Sequence, residues 1–193
     1  MAGVARPMLR YERENGIRFL MGLAGGMVVA AAILALMAYA VGTALHTAVG
    51  LQPRLVAAAA VCGALGLADV VNRTPHLWRQ VPQALIRVLP SGTLGFVWGF
   101  DIGLLFTTQR VVSLAWAAIA GVCFVEPRSA AVVVGVMAIL TTGTIGISSL
   151  PRGFVLERYG SQRERIWRRY IRIGSGVTLA AVAAQLALQA FQM

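Results

Sequence analysis

Lysine is absent from this chain of 193 residues, and all 17 of its basic residues are arginine. With abundant Ala, Val and Gly, that bias points to a GC-rich bacterial genome. Charge of any kind is scarce. The charged fraction is 12% and the hydrophobic fraction 58%, whereas a soluble domain carries about 25% and 45–50%. A mean hydropathy of +0.75 argues the same way, which excludes an ordinary soluble helical bundle. Cysteine is limited to Cys62 and Cys123, with no C-x-x-C spacing,. His46 and His76 stand in different loops without a second ligand nearby, so no metal site is expected,. The chain has no P-loop, no Gly-x-Ser-x-Gly elbow and no zinc-protease motif,. It therefore offers no catalytic residue and calls for no cofactor.

What is present is a series of long apolar stretches, approximately Phe19–Ala44, Leu55–Val71, Ser91–Thr108, Val111–Val125, Ala130–Leu150 and Gly174–Phe191. Open strands would leave backbone groups unpaired in hydrocarbon, so these stretches read as helices. The expected fold is an all-α, polytopic membrane helix bundle of five to six transmembrane helices. Residues 1–18 form a basic cytoplasmic N-terminal segment carrying Arg6, Arg10, Arg13 and Arg18, and residues 19–193 form one transmembrane domain. The first apolar run exceeds the roughly 7–15 residues of a signal-peptide core, so it reads as an uncleaved span. The net charge of +10 belongs to arginines that flank apolar runs, not to a basic soluble face,. Nucleic acid is thus not an expected partner. The bilayer and its anionic headgroups are. The Asn72-Arg73-Thr74 acceptor pattern abuts a membrane end and is discounted,.

The third and fourth stretches fall short of the roughly 20 residues a crossing needs, and only Gln109 and Arg110 separate them. Six simple crossings put Arg6, Arg10, Arg13, Arg18, Arg73, Arg79, Arg87 and Arg128 on one side. Arg54, Arg110, Arg152, Arg158, Arg163, Arg165, Arg168, Arg169 and Arg172 fall on the other, so the charge rule gives no orientation,. A re-entrant or broken Ser91–Thr108 leaves only Arg54 and Arg128 outside. A non-crossing fourth stretch gives nearly the same bias. Against a re-entrant third stretch, Gly95, Gly99 and Gly103 recur every four residues, the pattern of a continuous helix packed closely on a neighbour,.

Two segments between spans read as interfacial amphipathic helices. In His76–Pro90, Leu77, Trp78, Val81, Leu85 and Val88 share a face. In Ser161–Ile173, a capping box of Ser161 and Glu164 precedes Ile166, Trp167, Tyr170 and Ile171,. The arginines of the second, Arg163, Arg165, Arg168, Arg169 and Arg172, suit lipid headgroups or a docking partner.

Asp101, in the middle of the third stretch, is the outstanding candidate for chemistry. An ionised carboxylate there must face a bundle interior or water, and it is suited to take up and release protons,. In a re-entrant segment Gly99 and Gly103 would let backbone carbonyls line a polar path, with Thr107, Thr108, Thr141 and Thr142 adding hydroxyls. The other reading of Asp101 is a structural pairing, and of the hydroxyls, bonds to their own helices. Asp69, four residues before Arg73, has the spacing of an ion pair at the interface,. Cys62 and Cys123 read either as a membrane-embedded redox pair or as small buried hydrophobes.

The segments Asn72-Arg73-Thr74-Pro75-His76-Leu77-Trp78-Arg79-Gln80-Val81-Pro82 and Gly95-Phe96-Val97-Trp98-Gly99-Phe100-Asp101-Ile102-Gly103-Leu104-Leu105-Phe106-Thr107-Thr108 resemble small actinobacterial multi-pass proteins. These are in turn similar to the transmembrane family of cytochrome c biogenesis and DsbD. The resemblance implies two inverted three-helix halves passing reducing equivalents through paired cysteines. The chain departs from that pattern, because neither Cys62 nor Cys123 has a neighbouring proline. Three functional classes follow. The first is a small-solute or ion transporter of a bacterial inner membrane. The second is a non-catalytic subunit of a complex or homo-oligomer, packing through Gly22–Gly26 and Gly95–Gly99–Gly103. The third is a thiol redox conduit.

Overall fold

The computed structural model describes residues 2–73, 85–86, 88–104, 113–149 and 160–192. Seven α-helices lie among them: α1 (Ala2–Tyr11), α2 (Arg13–Ala48), α3 (Leu51–Val70), α4 (Ser91–Gly103), α5 (Leu114–Phe124), α6 (Ala130–Ser149) and α7 (Gly160–Phe191). No strand occurs among the described residues. Four stretches, Arg13–Ala48, Leu51–Val70, Pro127–Ile147 and Arg169–Phe191, are long and apolar enough to cross a bilayer. The chain is an all-α membrane protein. The two stretches that the sequence marks as short form short helices, of 13 and 11 residues.

Two boundaries differ from the sequence reading. Ser161–Ile173 is not an element of its own, because α7 runs without a break from Gly160 to Phe191. No proline interrupts it, and extending a helix gains one hydrogen bond per residue fixed. At 1.5 Å per residue its 32 residues reach about 48 Å, well beyond a hydrocarbon core of about 30 Å,. His46 lies in the last turn of α2, not in a loop. His76 and residues 77–84 of the other amphipathic segment lie outside the described residues.

Helix α3 has a defined stop. Asn72 adopts a positive φ of 61°. Its N–H donates to the Asp69 carbonyl at 3.2 Å, and the Arg73 N–H donates to the Ala68 carbonyl at 2.7 Å. This is the Schellman ending, with asparagine in the left-handed position that glycine usually takes. It places Asp69 in the final turn and carries Arg73 off the helix axis.

The chain divides into two compact units. The first comprises Met1–Leu34, His76–Gln109 and Val134–Leu156. Here α4 lies along α2 with backbones almost touching. A Cβ at Gly95 would overlap the Phe19 carbonyl, one at Gly99 the Leu23 carbonyl, and one at Gly26 the Phe96 carbonyl. Contacts advance together along both helices, from Gly22 beside Gly92 to Ala30 beside Gly103, so α2 and α4 are parallel. Glycines on both partners allow this approach, which in lipid gains from dispersion and not from water exclusion. Phe19, Leu23, Met27, Leu94, Trp98 and Ile102 fill the adjoining core, and Ala138 and Ile145 of α6 pack on it. Phe19 and Trp98 meet edge to face, with ring centroids 5.7 Å apart,.

The second unit comprises Ala35–Pro75, Arg110–Val133 and Glu157–Met193. It is organised around α3. Gly63 faces Ala183, and Gly66 faces Gly176 and Leu179, so α7 runs antiparallel to α3. Helix α5 also runs antiparallel to α3: Asp69 near the α3 C-terminus reaches Ser113 before α5, and Arg54 near the α3 N-terminus reaches Phe124 at its end. Cys62, Ala117 and Leu179 fill the space among the three helices.

Candidate functional site

Asp69 is fully buried. The backbone N–H of Ser113 donates to both of its carboxylate oxygens, at 3.1 Å and 2.8 Å. The Ser113 hydroxyl donates to Oδ1 at 2.6 Å, and the Ser175 hydroxyl of α7 donates to Oδ2 at 2.7 Å. Arg73 lies beyond the helix stop, so the helical i,i+4 spacing that suggested an interfacial pair with Asp69 is not kept, and the carboxylate accepts hydrogen bonds from Ser113 and Ser175.

At the opposite end of α5, Arg54 is 8% exposed. Its Nε donates to the Gly50 carbonyl and its Nη1 to the Phe124 carbonyl, both at 3.3 Å. Helix α5 is an apolar helix whose N-cap residue Ser113 makes no side-chain cap of its own. Its termini are satisfied from α3, with a negative group at the positive end of its dipole and a positive group at the negative end. The hydrogen-bond donors around Asp69 hold its charge in place, as burial of an ion requires. Asp69 thus ties α3, α5 and α7 together. Sequence reasoning missed this node. Serine immediately before an apolar run is a capping signal, and it could have drawn attention to Ser113.

Asp101 lies in the first unit, in the last turn of α4, and is half-buried. It sits two residues from both Gly99 and Gly103, about 200° around the helix from the glycine face. That puts it on the side of α4 opposite the glycines, whereas Leu94 and Trp98 pack with Phe19, Leu23 and Met27 of α2,. Gly99 and Gly103 lie at the contact with α2. They are pressed on α2, where a Cβ at Gly103 would come within 2.5 Å of the Ala30 Cβ. Gly22, Gly26, Gly95, Gly99 and Gly103 are therefore occupied within the chain, which removes them as docking surfaces for another subunit.

On α6, Ala138, Thr141, Thr142 and Ile145 follow the i, i+3, i+4, i+7 spacing of one face. Since Ala138 and Ile145 pack on the Trp98 core, both threonines belong to the face turned towards it. Thr141 donates its hydroxyl to the Met137 carbonyl, and Thr144 donates to Leu140, each at 2.7 Å. These bonds to their own helix match the structural reading. Thr107 and Thr108 lie outside the described residues.

Cys62 and Cys123 both belong to the second unit, and both are free thiols. Cys62 packs against Ala117 and Leu179, whereas Cys123 lies beside Ala38, with Sγ 3.7 Å from its carbonyl. Arg163, Arg165, Arg168, Arg169 and Arg172 all fall on α7; Arg169 is exposed and Arg172 half-buried. No group of three or more His, Cys, Asp or Glu side chains among the described residues could hold a metal ion.

Comparison with protein-family models, with curated proteins and with solved structures finds no match.

Proposed function

We propose that this is a multi-pass protein of a bacterial inner membrane that moves a small solute or ion, with Asp101 at its intramembrane site. The observation that carries this reading is a half-buried carboxylate on a short apolar helix, on the face away from the glycine contact. Intramembrane carboxylates cluster on substrate and ion paths. Asp69, the other aspartate within an apolar stretch, is bonded to Ser113 and Ser175. Thr141 and Thr142 lie on the face of α6 that packs on the Trp98 core,. The arginines of α7 hold the cytoplasmic end at anionic headgroups.

Helix directions favour five crossings. If α4 and α5 each crossed, then α3, α5 and α7 would be the second, fourth and sixth spans and would run the same way. Both α5 and α7 run opposite to α3. Five crossings follow if Ser91–Thr108 enters and leaves on one side, which leaves only Arg54 and Arg128 outside, as the charge rule prefers.

The test is flux in proteoliposomes. An imposed ion gradient is applied and internal pH and solute uptake are recorded for the native chain and Asp101→Asn. Loss of flux in the variant is expected, and equal flux removes Asp101 as the site.

The membrane-subunit reading is supported by one feature. On α6 a Cβ at Gly135, Gly143 or Gly146 would meet nothing within 4 Å, and Ile139 and Leu140 are exposed. Such a face is covered by acyl chains in a monomer and by another helix in a complex. Cysteine crosslinking through position 143 in native membranes distinguishes the two.

A further inference from the structure

Helix α7 turns Ser175, Gly176, Leu179, Ala183 and Leu186 towards α3 and its neighbours. On its far side Gly174, Thr178, Ala181, Gln185 and Gln189 recur three or four residues apart, and all five are exposed,. This stripe runs through Arg169–Phe191, one of the stretches long and apolar enough to cross a bilayer. Counted from Arg172, Gln185 lies about 20 Å along the helix and Gln189 about 26 Å. A hydrocarbon core of about 30 Å that begins at Arg172 therefore contains both. Thr178 donates its hydroxyl to the Gly174 carbonyl of its own helix, at 2.9 Å. The glutamine amides face whatever surrounds α7. Acyl chains offer them no hydrogen bond, so an amide left in lipid carries an uncompensated cost. The exposed face of α6 makes no such demand. Thr144 bonds there to its own helix, and the other exposed residues described on α6 are apolar or glycine.

We propose that this stripe of α7 is the contact with a second copy of the chain, held by hydrogen bonds between the Gln185 amides of the two copies. Copies inserted in the same direction pair about a two-fold axis along the membrane normal. Such an axis sets α7 parallel to its counterpart and each residue opposite its own copy, at one depth. Glutamine suits that arrangement, because its amide carries donors and an acceptor and no charge. An unrelated partner would need a polar group at the same depth, whereas a second copy supplies one by symmetry. Gly174 and Ala181 let the two backbones approach. Charge does not oppose the pairing, since Arg169 and Arg172 fall about 150° around the helix from Gln185. Trp167, 61% exposed and five turns before Gln185, continues the stripe past the end of the core,.

The test uses the full chain in native membranes, in a Cys62→Ser, Cys123→Ser background. Oxidation of Ala181→Cys should give a disulfide-linked species of twice the 20.5 kDa of one chain. Ala180→Cys is also exposed but turned about 100° off the stripe, and it should crosslink far less,. In mild detergent, Gln185→Met keeps the side-chain length and removes the amide. It should raise the dimer dissociation constant by about 10-fold, equivalent to about 1.4 kcal/mol, and leave the crosslink at position 181 correspondingly weaker. Equal crosslinking at positions 180 and 181, the absence of a doubled species, or a dimer unmoved by Gln185→Met overturns the proposal. An adduct of some other mass puts a different protein on the stripe and overturns the second copy as its occupant. The crosslink at position 181 is read with Gln185 in place, so it decides the question even if Gln185→Met does not fold. The pairing is independent of Asp101, and the flux assay on Asp101→Asn leaves it untouched.

Discussion

Replacing Asp69 by alanine removes the acceptor for three donors at once. The Ser113 and Ser175 hydroxyls can rotate towards nearby carbonyls and recover part of their loss, but the Ser113 N–H cannot. A buried donor left unpaired costs about 1–3 kcal/mol. Removing the negative group from the N-terminus of α5 costs about 0.5–2 kcal/mol more. The total is about 1.5–5 kcal/mol, which overlaps the ~3–5 kcal/mol seen when a buried charge network loses one member. For a chain of this size, about 1 kcal/mol shifts the melting temperature by roughly 2–4 °C. Asp69→Ala should therefore melt about 3–20 °C lower in mild detergent, by the same scaling. Asp69→Asn retains one acceptor oxygen and should fall in between. The mechanism has a stricter check in a double-mutant cycle. Ser175→Ala should destabilise the native background and have almost no effect in Asp69→Ala, giving a coupling of about 0.5 kcal/mol or more. A drop within about 2 °C for Asp69→Ala, below one kcal/mol on that scale, would refute the reasoning. So would Ser175→Ala effects that simply add.

Arg54→Leu should destabilise the second unit by about 1–3 kcal/mol, because the Phe124 carbonyl loses a charged donor; unchanged melting would show that α5 does not need its C-terminal cap. Gly99→Val forces a side chain onto the Leu23 carbonyl and should cost at least the ~1–3 kcal/mol of overpacking, whereas Gly143→Val on open α6 should be near neutral. Equal melting of those two variants would argue against the α2–α4 contact. In a Cys62→Ser, Cys123→Ser background, a single cysteine at Ser161 should resist a membrane-impermeant maleimide in intact cells, with the N-terminus confirmed as cytoplasmic. Labelling there would contradict five crossings.

The sequence by itself determined the class of this protein. Apolar runs of span length, arginines confined to their flanks and the absence of strand-forming alternatives in lipid leave only a helical membrane fold. It also marked the two short stretches and the four-residue glycine spacing, because helix length and close packing are local properties readable from periodicity. Which helices those glycines meet was not legible: Gly99 looks the same whether it faces a carbonyl-lined path or the backbone of α2. The relative directions of α3, α5 and α7 were not legible either, because they depend on contacts between residues far apart in the chain. The same holds for the two aspartates. By spacing, Asp69 belonged with Arg73, but a left-handed Asn72 ends the helix between them. The donors that satisfy Asp69 come from positions 44 and 106 residues away. A buried charge is decided by whatever donors the fold gathers around it, and only the tertiary structure gathers them.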